Sequence, residues 1–79
     1  MTGEAERISG LLSVSEGKFT AGEITREDFI GKLLAIADDA QDANEDDVIT
    51  DDEYGSLQDE LRTLMMKFSI SYEESGLAL

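Results

Sequence analysis

Cysteine, histidine, tryptophan and proline occur nowhere in the 79 residues. Without Cys there is no disulfide to staple a small fold, no thiolate to bind metal and no thiol redox chemistry. With His gone as well, the usual nucleophile–base pairs are missing, and no Ser sits in a nucleophile motif. There is no glycine-rich phosphate loop; Gly17 and Gly22 read as turn residues. Paired carboxylates remain for acid–base work, but a chain of 8.6 kDa offers little enclosed volume in which to shift their pKa values. The expectation is a protein that is not an enzyme, carries no cofactor and takes no small-molecule ligand. Long apolar runs are absent too. The opening MTGEAERISG carries acids early and reads as neither a secretion signal nor a membrane span, so a cytoplasmic protein is expected.

Basic residues are scarce. Six Lys and Arg face nineteen Asp and Glu, a formal charge of -13 with a pI near 4.1. Such a chain repels nucleic acid and anionic membranes, so direct binding to either is disfavoured; basic protein surfaces and cations are its complements. The same acidity would also suit solubility in a high-salt host. Disorder, the other outcome for so acidic a chain, is opposed by a hydrophobic content of 41% placed at regular intervals.

What is present is helical. Over 4–16, Ile8, Leu11, Leu12, Ser15 and, beyond it, Phe19 fall on one side of a helix. Over 26–41 the stripe is Phe29, Leu33, Ile36, Ala37 and Ala40, and over 51–68 it is Tyr54, Leu57, Leu61, Leu64, Met65 and Phe68. Each stripe needs an apolar partner, which predicts an all-α fold: one domain over 1–79, a small three- to four-helix bundle with an acidic connector at 42–50. The tail alternates at Phe68, Ile70 and Tyr72, but a lone strand has nothing to pair with. Ser71-x-x-Glu74 followed by Gly76 favours a short fourth helix at 72–78. A domain this short retains only ~3–5 kcal/mol of net stability.

A short repeat sharpens two helix starts. ITREDF at 24–29 returns as ITDDEY at 49–54. Thr25 and Thr50 suit N-cap positions, Asp28 and Glu53 suit N3, and Ile24 with Phe29 or Ile49 with Tyr54 matches a hydrophobic staple. First-turn carboxylates also favour the positive end of the helix dipole.

The same region admits a second reading. DANEDDVITDDE, residues 42–53, resembles a single EF-hand calcium loop, with Asp42, Asn44, Asp46, Thr50 and Glu53 at oxygen-ligand positions and Val48 supplying a carbonyl. Ile49 also suits such a loop. Against it, Asp47 stands where the sharp turn prefers glycine, and the capping device already explains Ile49, Thr50 and Glu53. The first copy of that device has Gly17, Phe19 and Ala21 at the first three ligand positions. Calcium binding is therefore the alternative, not the leading expectation.

The leading expectation rests on Asp38, Asp39, Asp42, Glu45, Asp46, Asp47, Asp51 and Asp52, a run with no base among them. Carboxylates held in place can stand where phosphates would, and Lys and Arg of a basic groove would bond them. Phe19, Gly22, Ile24, Asp28, Phe29, Leu33 and Leu34, followed by Tyr54, Leu57, Leu61, Leu64 and Phe68, resemble the small helical immunity proteins of the colicin D type. The resemblance covers about fifty residues. It implies a helical bundle whose acidic face plugs the basic active site of a tRNA-cutting toxin. The expected function is thus that of a small acidic helical binding protein. It would inhibit or sequester a basic, nucleic-acid-processing protein, as an immunity protein, a phage anti-defence inhibitor or a nucleic-acid mimic. The alternatives are a calcium-binding module and an acidic adaptor of a high-salt host.

Overall fold

The computed structural model describes residues 3–71, which form three helices and no strand. They are α1 (Gly3–Thr20), α2 (Arg26–Glu45) and α3 (Asp51–Lys67), packed pairwise around one core. The expected all-α bundle is the fold. The short helix read at 72–78 lies outside the described residues.

Each helix buries one stripe. Ala5, Ile8, Leu12 and Ser15 of α1 succeed one another at steps of three and four, as do Phe29, Leu33, Ile36, Ala40 and Ala43 of α2. Leu57, Leu61, Leu64 and Met65 complete the core from α3. Leu11, expected inside, is 38% exposed at the edge of its stripe. Ser9 donates to both oxygens of Glu60 at 3.1 and 3.0 Å, and Lys67 donates to Glu16 at 2.6 Å, so α1 and α3 are joined twice at the same sequence separation. They run parallel, with α2 antiparallel to both. The three phenylalanines, one from each helix or its cap, meet at one end. Phe19 and Phe29 stack at 4.6 Å, and Phe68 stands edge-on to both at 5.1 and 5.3 Å.

The helix starts follow the sequence reading. The Thr50 hydroxyl accepts from the Glu53 N–H, and the Glu53 carboxylate accepts from the Thr50 N–H, a complete capping box. At Thr25 the hydroxyl accepts from the Asp28 N–H in the same way. Ile49 is buried and Ile24 partly so, each packed on the core as a staple requires.

The helix ends differ from the reading. The first helix continues to Thr20, with Gly17 inside it rather than in a turn, and the second continues to Glu45. Residues 42–45 are helical because the buried stripe extends to Ala43; the connector is 46–50, not 42–50. All three helices then close with one device. The N–H of Glu23 reaches back to Lys18 and that of Gly22 to Phe19; Val48 reaches Ala43 and Asp47 reaches Asn44; Ile70 reaches Met65 and Ser69 reaches Met66. These are Schellman closures, and each puts one residue in the left-handed region: Gly22 at φ 77, Asp47 at φ 58 and Ser69 at φ 56. The repeat therefore extends upstream of the two capping threonines. Residues 21–25 and 46–50 are the same corner, with Gly22 in the first and Asp47 in the second.

Two stability predictions follow from this geometry. Asp47→Gly removes a side chain from a left-handed position and a negative charge from a helix C-terminus. It is expected to raise stability by about 1 kcal/mol in urea titrations, whereas Gly22→Ala lowers it by about 1–2 kcal/mol. Phe29→Ala empties the centre of the aromatic cluster. At a cost of about 3–5 kcal/mol it should leave the chain largely unfolded by circular dichroism at 25 °C.

Candidate partner-binding face

The antiparallel path brings the start of α1, the end of α2 and the start of α3 to the end of the bundle opposite the phenylalanines. Glu4 and Glu6 of α1 join the acids of 38–53 there, and Arg7 is the only base of that end. The other five bases, Lys18, Arg26, Lys32, Arg62 and Lys67, stand nearer the aromatic end.

The sequence-predicted site residues divide by position. Asp38, Asp42 and Glu45 recur at four- and three-residue steps, so they form one outward ridge of α2, all exposed. Like charges at this spacing destabilise a helix by ~0.2–0.5 kcal/mol per pair. Asp46 caps the helix, Asp47 occupies the left-handed position, and both are exposed. Asp51 and Asp52 open α3, where the helix dipole welcomes them. Asp39 is the exception. It turns to α1 and accepts a 2.8 Å bond from Arg7, which also bonds Glu4, so its carboxylate is committed within the fold. Those bonds, to Glu4 first and Asp39 second, raise the Arg7 pKa above its ordinary value, so its charge persists at any working pH.

Bases cap the negative ends of the other helices but not of α2. Lys18 lies in the last turn of α1 and Lys67 in that of α3, where Arg26 also donates to the Phe68 and Ser69 carbonyls at 2.7 and 3.0 Å. The last turn of α2 holds no base. Its carboxylates thus sit where the dipole is unfavourable.

The residues of the calcium frame are placed otherwise. Asp42 and Asn44 lie within α2, two positions apart and so pointing to different sides. The Asn44 amide donates to Asp51 at 2.9 Å, and Thr50 and Glu53 are engaged in the capping box. Asp47 does adopt the left-handed conformation that the sixth loop position demands, but the Schellman closure accounts for it. Among the described residues no three acidic side chains converge as a metal would require. Elsewhere, a shallow open groove of about 320 Å³ lies between α1 and α3, floored by Leu12 and Leu64 and edged by Glu16, Asp59 and Glu60. No described helix is long and apolar enough to cross a membrane.

Sequence reasoning missed Arg7, Glu4 and Glu6 as members of this end. No local pattern marks them; only the antiparallel packing of two helices of similar length places them. Arg7→Gln is expected to lower the melting temperature measured in low salt, because its loss leaves Asp39 facing Glu4 unneutralised. The deficit should shrink in 1 M NaCl, while Arg62→Gln, whose i,i+3 contact to Asp59 is long at 3.5 Å and exposed to solvent, changes little in either buffer. No protein-family model, curated protein or solved structure matches this chain, so the use of the acidic end has to be read from its own geometry and charge.

Proposed function

We propose that this protein binds and inhibits, or sequesters, a basic protein that processes nucleic acid, by presenting the carboxylates of the α2–α3 end in place of phosphates. One comparison within the molecule carries the reading. The two corners share their backbone, yet the first is built from Ala21, Gly22 and Glu23 and the second from Asp46, Asp47 and Val48. The fold therefore does not require the acids at the second corner. Glycine would fit Asp47's conformation better, and the dipole of α2 opposes both charges. Residues that the local structure disfavours are the ones for which a use outside the chain is the economical account.

The arrangement suits a basic groove. Asp38, Asp42 and Glu45 follow each other on a rigid helix about 5–6 Å apart, within reach of successive Lys or Arg side chains. A colicin D-type immunity role, a phage anti-defence role and general nucleic-acid mimicry all use this surface in the same way. Asp39, committed to Arg7, acts as a fold contact instead of a partner contact.

The test is affinity capture on the immobilised protein. Captured partners are expected to be basic, to elute between ~0.15 and 1 M NaCl, and to be displaced by competing nucleic acid. The triple substitution Asp42→Asn, Asp46→Asn and Asp47→Asn should weaken binding at least tenfold. Capture indifferent to that triple variant would sink the electrostatic model. Two parallel melts separate the competing accounts. A rise in melting temperature with calcium beyond that with equimolar magnesium would assign the loop to calcium instead. Equal stabilisation by NaCl and KCl with no partner captured would leave the acidity to a high-salt host.

A further inference from the structure

We propose that the groove between α1 and α3 is an anchoring pocket for one arginine side chain of the basic partner. Its alkyl stem lies on Leu12 and Leu64, and its guanidinium lies among Glu16, Asp59 and Glu60. The inference rests on the function proposed above and supplies what the acidic end does not. Asp42, Asp46 and Asp47 are exposed, and exposed ion pairs steer a partner but hold it weakly. Tight binding centres instead on a side chain seated in a largely apolar recess, arginine prominent among them.

Helical spacing connects the groove with the acidic end. Glu6, Ser9, Ser13 and Glu16 succeed one another at steps of three and four along α1. Asp52, Ser56, Glu60 and Thr63 do the same along α3. Ser9 bonds Glu60 and Lys67 bonds Glu16, so the two rows face each other. The groove therefore runs from Glu6 and Asp52 to the recess between these two cross-links, which Leu12 and Leu64 floor.

The recess measures about 320 Å³. That is the small end of the ~300–1,000 Å³ of ligand pockets, so it suits one side chain. Its floor is apolar and its rim is charged. Glu60 accepts from the Ser9 hydroxyl with both oxygens, and that neutral donor leaves its charge in place. Asp59 meets Arg62 only at 3.5 Å, with most of its side chain in solvent. Glu16 has a close cation, Lys67 at 2.6 Å, on one of its two oxygens. Three carboxylates thus share one close cation around two leucines. An aliphatic side chain would cover the floor and leave the rim uncompensated, and a compact cation would meet the rim and leave the floor unused. Arginine has an apolar stem for the floor and a planar, weakly hydrated head that bonds carboxylates for the rim.

Methyl NMR of the intact chain, titrated at constant ionic strength, is the experiment. Three probes divide the chemistry: N-acetyl-arginine methylamide, N-acetyl-norleucine methylamide as stem without charge, and millimolar guanidinium ion as head without stem. The arginine probe is expected to move the methyl signals of Leu12, Thr63 and Leu64 saturably. It should bind about fivefold more tightly than either fragment. Asp59→Asn should weaken it about threefold, and Ser13→Phe, which swings a ring over the recess from an exposed position, should abolish it. Neither variant touches the core, and both should keep the wild-type circular dichroism. Equal responses to arginine and guanidinium, a norleucine probe that binds as tightly, or an arginine response unchanged in Ser13→Phe would overturn the proposal. The triple variant Asp42→Asn, Asp46→Asn and Asp47→Asn separates it from the reading it rests on. That variant should keep the wild-type affinity for the arginine probe while binding a captured partner weakly, whereas Ser13→Phe should lose both. A partner indifferent to Ser13→Phe but lost by the triple variant would overturn the anchor and leave the broader function standing. Arginine bound in the groove with no basic partner captured would sink the broader function and keep the pocket as an arginine site.

Discussion

Everything else in the fold depends on the meeting of Phe19, Phe29 and Phe68, the only phenylalanines in the chain. Each comes from a different helix or its cap, so the cluster closes the bundle in one place. Stacked and edge-on rings at these separations add to the area they remove from water. The bases gather nearby: Arg26 holds the carbonyls at the end of α3, and Lys67 spans to Glu16 and lies 5.5 Å from the centre of the Phe68 ring. The opposite end is anchored by small and aliphatic side chains instead, Ala5, Ile8, Ala40, Ala43 and Ile49, beneath a surface that carries the charge.

How much of this the sequence disclosed depends on how local the cause is. The apolar stripes and the threonine caps are set by spacing within a few residues, so Phe29, Leu33, Thr25 and Thr50 were legible from the string alone. The helix ends were legible only in part. Gly22 marks its closure in the customary way, but Asp47 and Ser69 occupy the same left-handed position without announcing it. The first and second helices were both read as ending too early, at 16 and 41 instead of Thr20 and Glu45, so the glycine alone did not locate the closure. Aligning AGEIT of 21–25 with DDVIT of 46–50 would have exposed the equivalence, since Gly22 and Asp47 then coincide.

That equivalence also explains why residues 42–53 resemble a calcium loop. A Schellman closure supplies a left-handed residue at the sixth position, and the capping box that follows supplies Thr50 and Glu53 at the ninth and twelfth. Two ordinary helix-corner devices in sequence reproduce half of the pattern. The remaining matches, Asp42, Asn44 and Asp46, come from a segment already dense in acid, and the first two are on a helix. The candidate face was legible as a linear run for the same compositional reason. Its true membership was not, because the contact that withdraws Asp39 crosses from α2 to α1, and Glu4 and Glu6 join only through packing.

The distribution of charge bears on what the acidity is for. A surface made acidic for solubility, in ordinary or high salt, gains from carboxylates spread over all faces with bases interspersed. Here five of the six bases are on the aromatic half and only Arg7 is on the other, where its charge is shared by Glu4 and Asp39. Segregation of this kind raises the repulsion at one end without improving solvation elsewhere, and it creates a field with a direction. A directional field of this kind would turn the α2–α3 end first toward any basic surface, as the proposed function requires. The exposed Asp42, Asp46 and Asp47 are what such a surface would then meet, on a corner whose backbone would be as well made, and better neutralised, without them.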